Sequence, residues 1–471
     1  MLPMFLAMGD GTIVATALPA IAGSLGNPDQ VSWIVVSYLV ATTIAAPVYG
    51  RLGDLLGRRR LMFVALAIFM IAAVLCALST SVAMLIAARI LQGTGGGGLM
   101  TLSQALVGET IPPRDRGRYQ GYIAAVAVIS STFGPVAGGF LTQYLGWQSV
   151  FLVSLPIGLV AVLLMLRLPD RPGTGEAFRF DLFGLLLFAA FIASSLAMLQ
   201  QVQNLRTMNL PVVGGFLAMS LVSLLLLFWQ EKRASDPLLP IPLLREPSIW
   251  RCDLLAACHG AALVSLITFL PIYFRVAHGA PAARIGLLML PIMVGVGSGS
   301  IIVGWIVSRT GRTAILPTIG LPISAAVLVA IAFWSTTAGA AGLSAAVGLA
   351  TFFMGTVMSV VQVTVQSSAG MKMLGTAAAS VQFSRSLGAA FGTAAVGVVL
   401  FTAMAVESTR TAELFGDILR HGPDLLQTLP AVERAATEAE IGAAFRAAFL
   451  TIASFPALAT FLAWSIPLRR I

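Results

Sequence analysis

Long, nearly unbroken apolar runs cover almost the whole chain, and they constrain its fold more than any other feature. A run of about 20 apolar residues crosses the hydrocarbon of a bilayer as one helix. In lipid the backbone must satisfy its own hydrogen bonds, which leaves helices or a closed barrel. Barrel strands would read as alternating segments of about ten residues. The runs here are longer and continuous, so the barrel is rejected. Composition agrees: 58% of the residues are hydrophobic and 10% are charged, and the mean hydropathy is +0.93. The expected fold is all-α, a polytopic membrane protein of fourteen transmembrane helices. They lie at approximately 3–25, 31–50, 60–79, 82–108, 118–142, 147–167, 182–202, 210–230, 251–274, 284–307, 313–334, 341–367, 375–404 and 443–466.

The net charge of +9 does not point to nucleic acid. No basic block carries interleaved aromatics, and the arginines sit in short loops between apolar runs. Assigned alternately, one set of loops holds Arg51, Arg58, Arg59, Arg60, Arg114, Arg116, Arg118, Arg167, Arg171 and Arg179. The same set continues through Lys232, Arg233, Arg245, Arg251, Arg309, Arg312, Lys372, Arg469 and Arg470, nineteen of the 28 basic residues. The short opposite loops hold Arg206, Arg275 and Arg284. This bias places the first set and both termini in the cytoplasm. The last external loop, 405–442, is mixed in charge and is expected to end in an amphipathic helix around Ala431–Ala448. Without a basic n-region, the first run reads as a retained span and not a cleaved signal. Cys76, Cys252 and Cys258 all fall in apolar segments and read as small core residues, with no disulfide framework and no metal spacing.

The chain repeats itself weakly. Gly50–Arg58 recurs at Gly304–Arg312, and the same offset of 254 residues carries Gly134 and Gly138 onto Gly388 and Gly392. The expected plan is two pseudo-symmetric six-helix bundles, 1–168 and 250–471, with two inserted helices at 181–230. Two related halves around a central site is a transporter architecture.

Four stretches carry chemistry. Asp10 is a lone carboxylate in the apolar run from Pro3 to Leu25. A charge there titrates, pairs, or faces a water-filled path. Arg89 lies about two turns inside the fourth span, followed by Gln92, Gly93 and Gly95–Gly98. It cannot deprotonate, so it pairs or tunes a neighbour; the glycines serve close packing or substrate contact equally well. At about 1.5 Å per residue, Asp10 lies about 10 Å from one membrane face and Arg89 about 10 Å from the other. Direct contact in one static state is therefore not expected. The loop Gly50-Arg51-Leu52-Gly53-Asp54-Leu55-Leu56-Gly57-Arg58-Arg59-Arg60 sets an acid among bases, which could latch one conformation. The fifth span carries Gly134-Pro135-Val136-Ala137-Gly138-Gly139, small residues four apart beside a helix-bending proline.

The loop resembles the signature of the major facilitator superfamily, Gly-x-Leu-x-Asp-x-x-Gly-Arg-Arg/Lys. The Arg89 stretch resembles that superfamily's Arg-x-x-Gln-Gly-x-Gly motif, associated with proton transfer. Gly134–Gly139 resembles the motif that marks its antiporters. Asp10–Val14 with Ala17-Leu18-Pro19, Gly146-Trp147 with Leu155–Gly158, and Arg385–Gly392 resemble helices of its fourteen-span drug:proton antiporters. One departure is Ser308, where an aspartate would restore the loop in the second half.

Other polar groups are read locally. Glu109 is expected at a solvated helix end, Asp253 in an ion pair with Arg251, His259 in a packing role, and Glu407 at the external end of its span. Gln92, His259, Gln362, Gln366, Gln382 and Arg385 are candidates to line a cavity. The resemblance implies a proton-coupled antiporter that exports hydrophobic, often cationic compounds from the bacterial inner membrane. It would need no cofactor beyond the proton gradient. The alternatives are a facilitator of one defined metabolite and, from another class, a membrane-embedded receptor or enzyme. No P-loop, nucleophile elbow or His-rich set supports the last. Docking of a periplasmic adaptor is left open.

Overall fold

The computed structural model describes residues 1–26, 30–168, 173, 181–203, 210–234, 237, 241–313, 315–407, 410–411, 414–415, 418 and 430–468. They form α1 (Leu2–Leu25), α2 (Ser32–Leu56), α3 (Arg58–Ala77), α4 (Val82–Thr110), α5 (Pro113–Leu145), α6 (Ser149–Leu152), α7 (Ser154–Met165), α8 (Leu182–Gln203) and α9 (Leu210–Glu231). After a short turn of helix, α10 (Ile241–Leu244), come α11 (Pro247–Ala277), α12 (Ala282–Thr310), α13 (Ile315–Trp334), α14 (Ala340–Ala369), α15 (Leu374–Glu407) and α16 (Ala431–Ser465). Counting α6 and α7 as one span interrupted at Val153, the fourteen spans are all present. The break has a local cause: Pro156, in the first turn of α7, has no N–H to give Leu152.

Among the described residues, eleven helices are long and apolar enough to cross a membrane. The other three spans fall short for visible reasons. Helix α4 is diluted by glycines and Arg89, α6–α7 is broken, and the apolar part of α8 is shorter. The expected helix at Ala431–Ala448 is one piece with the last span, giving a 35-residue α16. Arg171, Arg179, Arg206, Arg469, Arg470 and the side chain of Glu407 lie outside the described residues.

Packing follows the small residues. In the first six spans α1 packs on α5, α2 and α3 on α4, and α7 on α1 and α3; in the last six α11 packs on α15, α12 and α13 on α14, and α16 on α11 and α13. Gly134 and Gly138 lie against Thr12, Ile13 and Thr16 of α1, while Gly388 and Gly392 lie against Ala257 and Ala261 of α11. The two sixes meet along two seams, α2 with α15 and α5 with α12. Gly50 is so close to α15 that a β-carbon would sit 2.6 Å from the Gly375 carbonyl; at the other seam Gly117 would meet the Gly304 carbonyl at 2.8 Å. The α8–α9 hairpin covers the first seam, with Phe188 and Phe191 5.0 and 6.5 Å from the Phe383 ring.

Candidate transport site

Five of the six glycines of α4, Gly93 and Gly95–Gly98, are packing residues. They fit α4 between α2 and α3: a β-carbon on Gly93 would lie 2.6 Å from the Tyr38 carbonyl, and one on Gly95 2.7 Å from Phe69 N. That close approach fixes Arg89 and Gln92 against α1 and α2.

Contrary to the sequence expectation, Arg89 and Asp10 touch. Arg89 Nη1 donates to Asp10 Oδ2 in a direct ion pair. Gln92 bridges both: its Nε2 donates to Asp10 Oδ1 at 2.9 Å, and its Oε1 accepts from Arg89 Nη1 at 2.8 Å. The depth estimate failed because it assumed flush helix ends. Helix α1 has 24 residues and α4 has 29, a difference of about 7 Å, and the long arginine side chain spans more. Arg89 does not snorkel to an interface, since it is 0% exposed, and Asp10 is 5% exposed. The guanidinium also donates to the Ile34 carbonyl at 3.3 Å and lies 4.2 Å from the Tyr38 ring centroid and 5.8 Å from that of Phe151. Cys76 donates to Gln92 Oε1 at 3.4 Å, and Tyr38 anchors α2 to α1 through the Ala7 carbonyl at 2.9 Å. Tyr38 and Ile34 carry no sequence signal, because an aromatic or apolar residue in a span reads as lipid contact; Phe151 belongs to the sixth-helix stretch that resembles the family. One atom, Arg89 Nη2, is buried without a partner.

The second cluster seals the end of the bundle where Leu2 and Ser465 lie. Asp54, 6% exposed, crosses the α2–α15 seam. It accepts from the backbone N–H of Gly375 at 2.8 Å, from that of Thr376 at 2.9 Å, and from the Thr376 hydroxyl at 3.0 Å. A carboxylate at a helix N-terminus satisfies orphan amides and meets the positive end of the dipole. Arg58 holds that carboxylate from its own side at 2.6 Å, pairs with Glu109 at 2.9 Å, and reaches the Met371 carbonyl at 3.1 Å. Glu109 is therefore part of the cluster, not merely a solvated helix end. Gly57, at φ +98°, makes the sharp turn between α2 and α3.

The other two arginines do other things: Arg59 donates to the Met165 and Leu166 carbonyls at the end of α7, and Arg60 is exposed. Asp54 and Arg58 make contacts across the seam, whereas Arg59 stays within the first six spans. At the mirrored position the Ser308 hydroxyl, among the described residues, donates within its own helix, to the Trp305 carbonyl. That seam is closed by backbone proximity at Gly117 and Gly304 instead.

The remaining candidates scatter. Gly134 and Gly138 face α1, whereas Pro135 and Gly139 point outward, and nothing lies within 4 Å of a β-carbon built on Gly139. Gln366 crosses between the halves to the Gln104 carbonyl at 3.0 Å. Gln362 is buried with Oε1 unpartnered. His259 sits among Leu321, Met354 and Pro456 inside the last six spans, its Nδ1 without a partner. Asp253 does not pair with Arg251. It accepts from Ser380 at 3.2 Å, while Arg251 turns to the Ser465 carbonyl and the Trp250 ring. Gln382 and Arg385 are half-buried on α15.

This geometry has relatives. The family described as Major Facilitator Superfamily matches residues 1–393. The multidrug transporter protein MdtP of Bacillus subtilis is 32% identical over 401 residues, covering 84% of this chain and 73% of that relative. An uncharacterised MFS-type transporter of Mycobacterium tuberculosis is 34% identical over 402 residues, covering 82% of this chain but 56% of the relative, so the chain spans little more than half of that protein's length. Among solved structures, the human organic anion transporter MFSD10 superposes with a TM-score of 0.66 at 17% identity, over 98% of this chain and 97% of the other. The proton:xylose symporter XylE gives 0.63 at 15%, over 99% and 94%. A helical chain with eleven helices long and apolar enough to cross a membrane among the described residues, and this family match, belongs to the major facilitator superfamily.

Proposed function

We propose that this chain is a proton-coupled exporter of hydrophobic compounds that works by alternating access, with the proton gradient as its energy source. The observation that carries the reading is the buried Asp10–Arg89–Gln92 cluster. Its ion pair is shut inside the first six spans, where a lone charge is costly. One proton on Asp10 dissolves the pair and leaves Arg89 seeking its other partners, Ile34, Tyr38 and Gln92. A bistable packing of α1 against α4 is then switched by one proton. The Asp54 latch supplies the second element: it closes the end that holds the termini in this conformation and must break in the other. The excess of arginine on that side supports a cytoplasmic assignment for it, and a bacterial membrane fits the relatives from Bacillus subtilis and Mycobacterium tuberculosis, while others are fungal.

Export of hydrophobic compounds is supported by relatives named as multidrug transporters. The resemblance implies a substrate that is often cationic. With Arg89 already on Asp10, that carboxylate is not free to hold such a cation in this conformation, and the substrate's charge is argued separately below. Fold likeness alone does not separate drug export from transport of one metabolite.

The test is Asp10→Asn in proteoliposomes with an imposed pH gradient. Asparagine keeps hydrogen bonds to Arg89 and Gln92 but takes up no proton. Gradient-driven transport is expected to vanish while gradient-free substrate exchange persists. Undiminished gradient-driven transport would remove Asp10 from coupling.

A further inference from the structure

The charges inside the spans do not cancel locally. Asp10 is held by Arg89, and Asp253 accepts from Ser380. Arg385, the twelfth residue of the 34-residue α15, has no acid partner and no side-chain hydrogen bond among the described residues. It cannot shed its proton, so the cation persists whatever the pH. Of the helices packed on α15, α8 and α14 bring no acid or base, α2 brings Arg51 and Asp54, α4 brings Arg89 and Glu109, and α16 brings charges only between Glu433 and Arg446. Helix α11 brings Asp253, which lies toward the sealed end, and His259, which the Arg385 charge reaches.

Its direction is set by its neighbours. Phe383 packs on Phe188 and Phe191, and Leu387 joins the same cluster, so that face of α15 looks outward to the α8–α9 cover. Two residues from Phe383, at 100° per residue, Arg385 lies on the opposite, inward face. It is half-buried there, as is every residue from Gln382 to Ala389, with Gln382, Ser386 and Ala389 along the same stripe. It also lies about 14 Å beyond the Asp54 contacts at Gly375 and Thr376, on the far side of the seal.

We propose that Arg385 is the binding group for a negative charge on the transported compound, a carboxylate or sulfonate on an apolar body. The inference rests on the export reading only in calling the ligand a transported one. An unpaired guanidinium inside a bilayer protein is costly without a partner, and its planar donors match two oxygens of such an anion. Gln382 and Ser386 add neutral hydrogen-bonding groups beside it.

The experiment measures equilibrium binding to the purified protein in detergent by fluorescence anisotropy, with no gradient. The probes are fluorescein, an anion at neutral pH, and ethidium, a cation. Wild type is expected to bind fluorescein. Arg385→Gln is expected to weaken that binding about tenfold or more, the scale of a charge-assisted hydrogen bond; Arg385→Lys should lose less, and ethidium binding should not respond. Fluorescein bound equally well by Arg385→Gln overturns the proposal, as does wild type binding ethidium but not fluorescein. Should Arg385→Gln fail to fold, displacement of bound fluorescein from wild type decides: octanesulfonate must displace it, and displacement only by an octylammonium salt overturns the proposal. Because no gradient is applied, anion binding can stand or fall apart from proton-coupled export.

Discussion

Asp54→Asn tests the latch most directly. The native carboxylate takes donors on both oxygens from across or beside the seam: Nε and Nη2 of Arg58 and the Gly375 amide on Oδ1, and the Thr376 amide and hydroxyl on Oδ2. Asparagine keeps one acceptor and presents an NH₂ where the other stood. With its oxygen toward Arg58, the NH₂ faces the Thr376 amide, and two buried donors oppose each other. One orphaned buried amide costs about 1–3 kcal/mol, and the bonds that remain lose their charge assistance, about 1 kcal/mol more. About 3 kcal/mol in total, at 1.4 kcal/mol per tenfold, moves the closed-to-open ratio at this end about a hundredfold. Folding stability should change much less, because each six-span core is untouched. Spin labels at Leu56 and Met371, both exposed and on opposite sides of the seam, read the gap by double electron–electron resonance in a background lacking Cys76, Cys252 and Cys258. The distance distribution should shift to longer separations in Asp54→Asn. An unshifted distribution in a folded variant would refute the latch.

The other predictions are simpler. Gly95→Ala should lower the thermal midpoint markedly, because its β-carbon would press on the Phe69 backbone, while Gly139→Ala, with nothing near it, should leave the midpoint within error; equal effects would deny that the α4 glycines are packing residues. Ser308→Ala should leave the Leu56–Met371 label distance unchanged, since the Ser308 hydroxyl, among the described residues, donates within its own helix, to the Trp305 carbonyl, and a shift there would mean a second latch operates. Just beyond α11, burial and then the charge of Arg284 hold the His278 pKa below its usual 6.5. The unfolded chain therefore takes up a proton that the folded one resists, so this contribution is whole above about pH 6.5 and is lost as the pH falls below it. His278→Gln should flatten the fall in thermal midpoint from about pH 7 to about pH 5; an unaltered slope would exonerate His278.

How far the sequence carries can be seen residue by residue. Apolar runs marked all fourteen helices in the sequence, and eleven of them meet the length and apolarity of a span outright, because lipid demands a helix of fixed length wherever the chain crosses. The loop at Gly50–Arg60 was legible because a glycine turn with an acid among bases is rarely accidental, yet its real partner, the N-terminus of α15, is more than 300 residues away. Asp253 was misread for a related reason: Arg251 is near in sequence, but two residues apart on a helix point to different sides.

The chain's own order of residues determined that it spans a membrane, how many times, and which side chains are too polar to be there by chance, since those follow from transfer free energy and period. Only the packed structure decided how those charges combine. Helices of unequal length slide to the depth their glycines allow, and that offset brings Asp10 to Arg89, gives Asp54 a helix end to cap, and leaves Arg385 without an acid among the described residues.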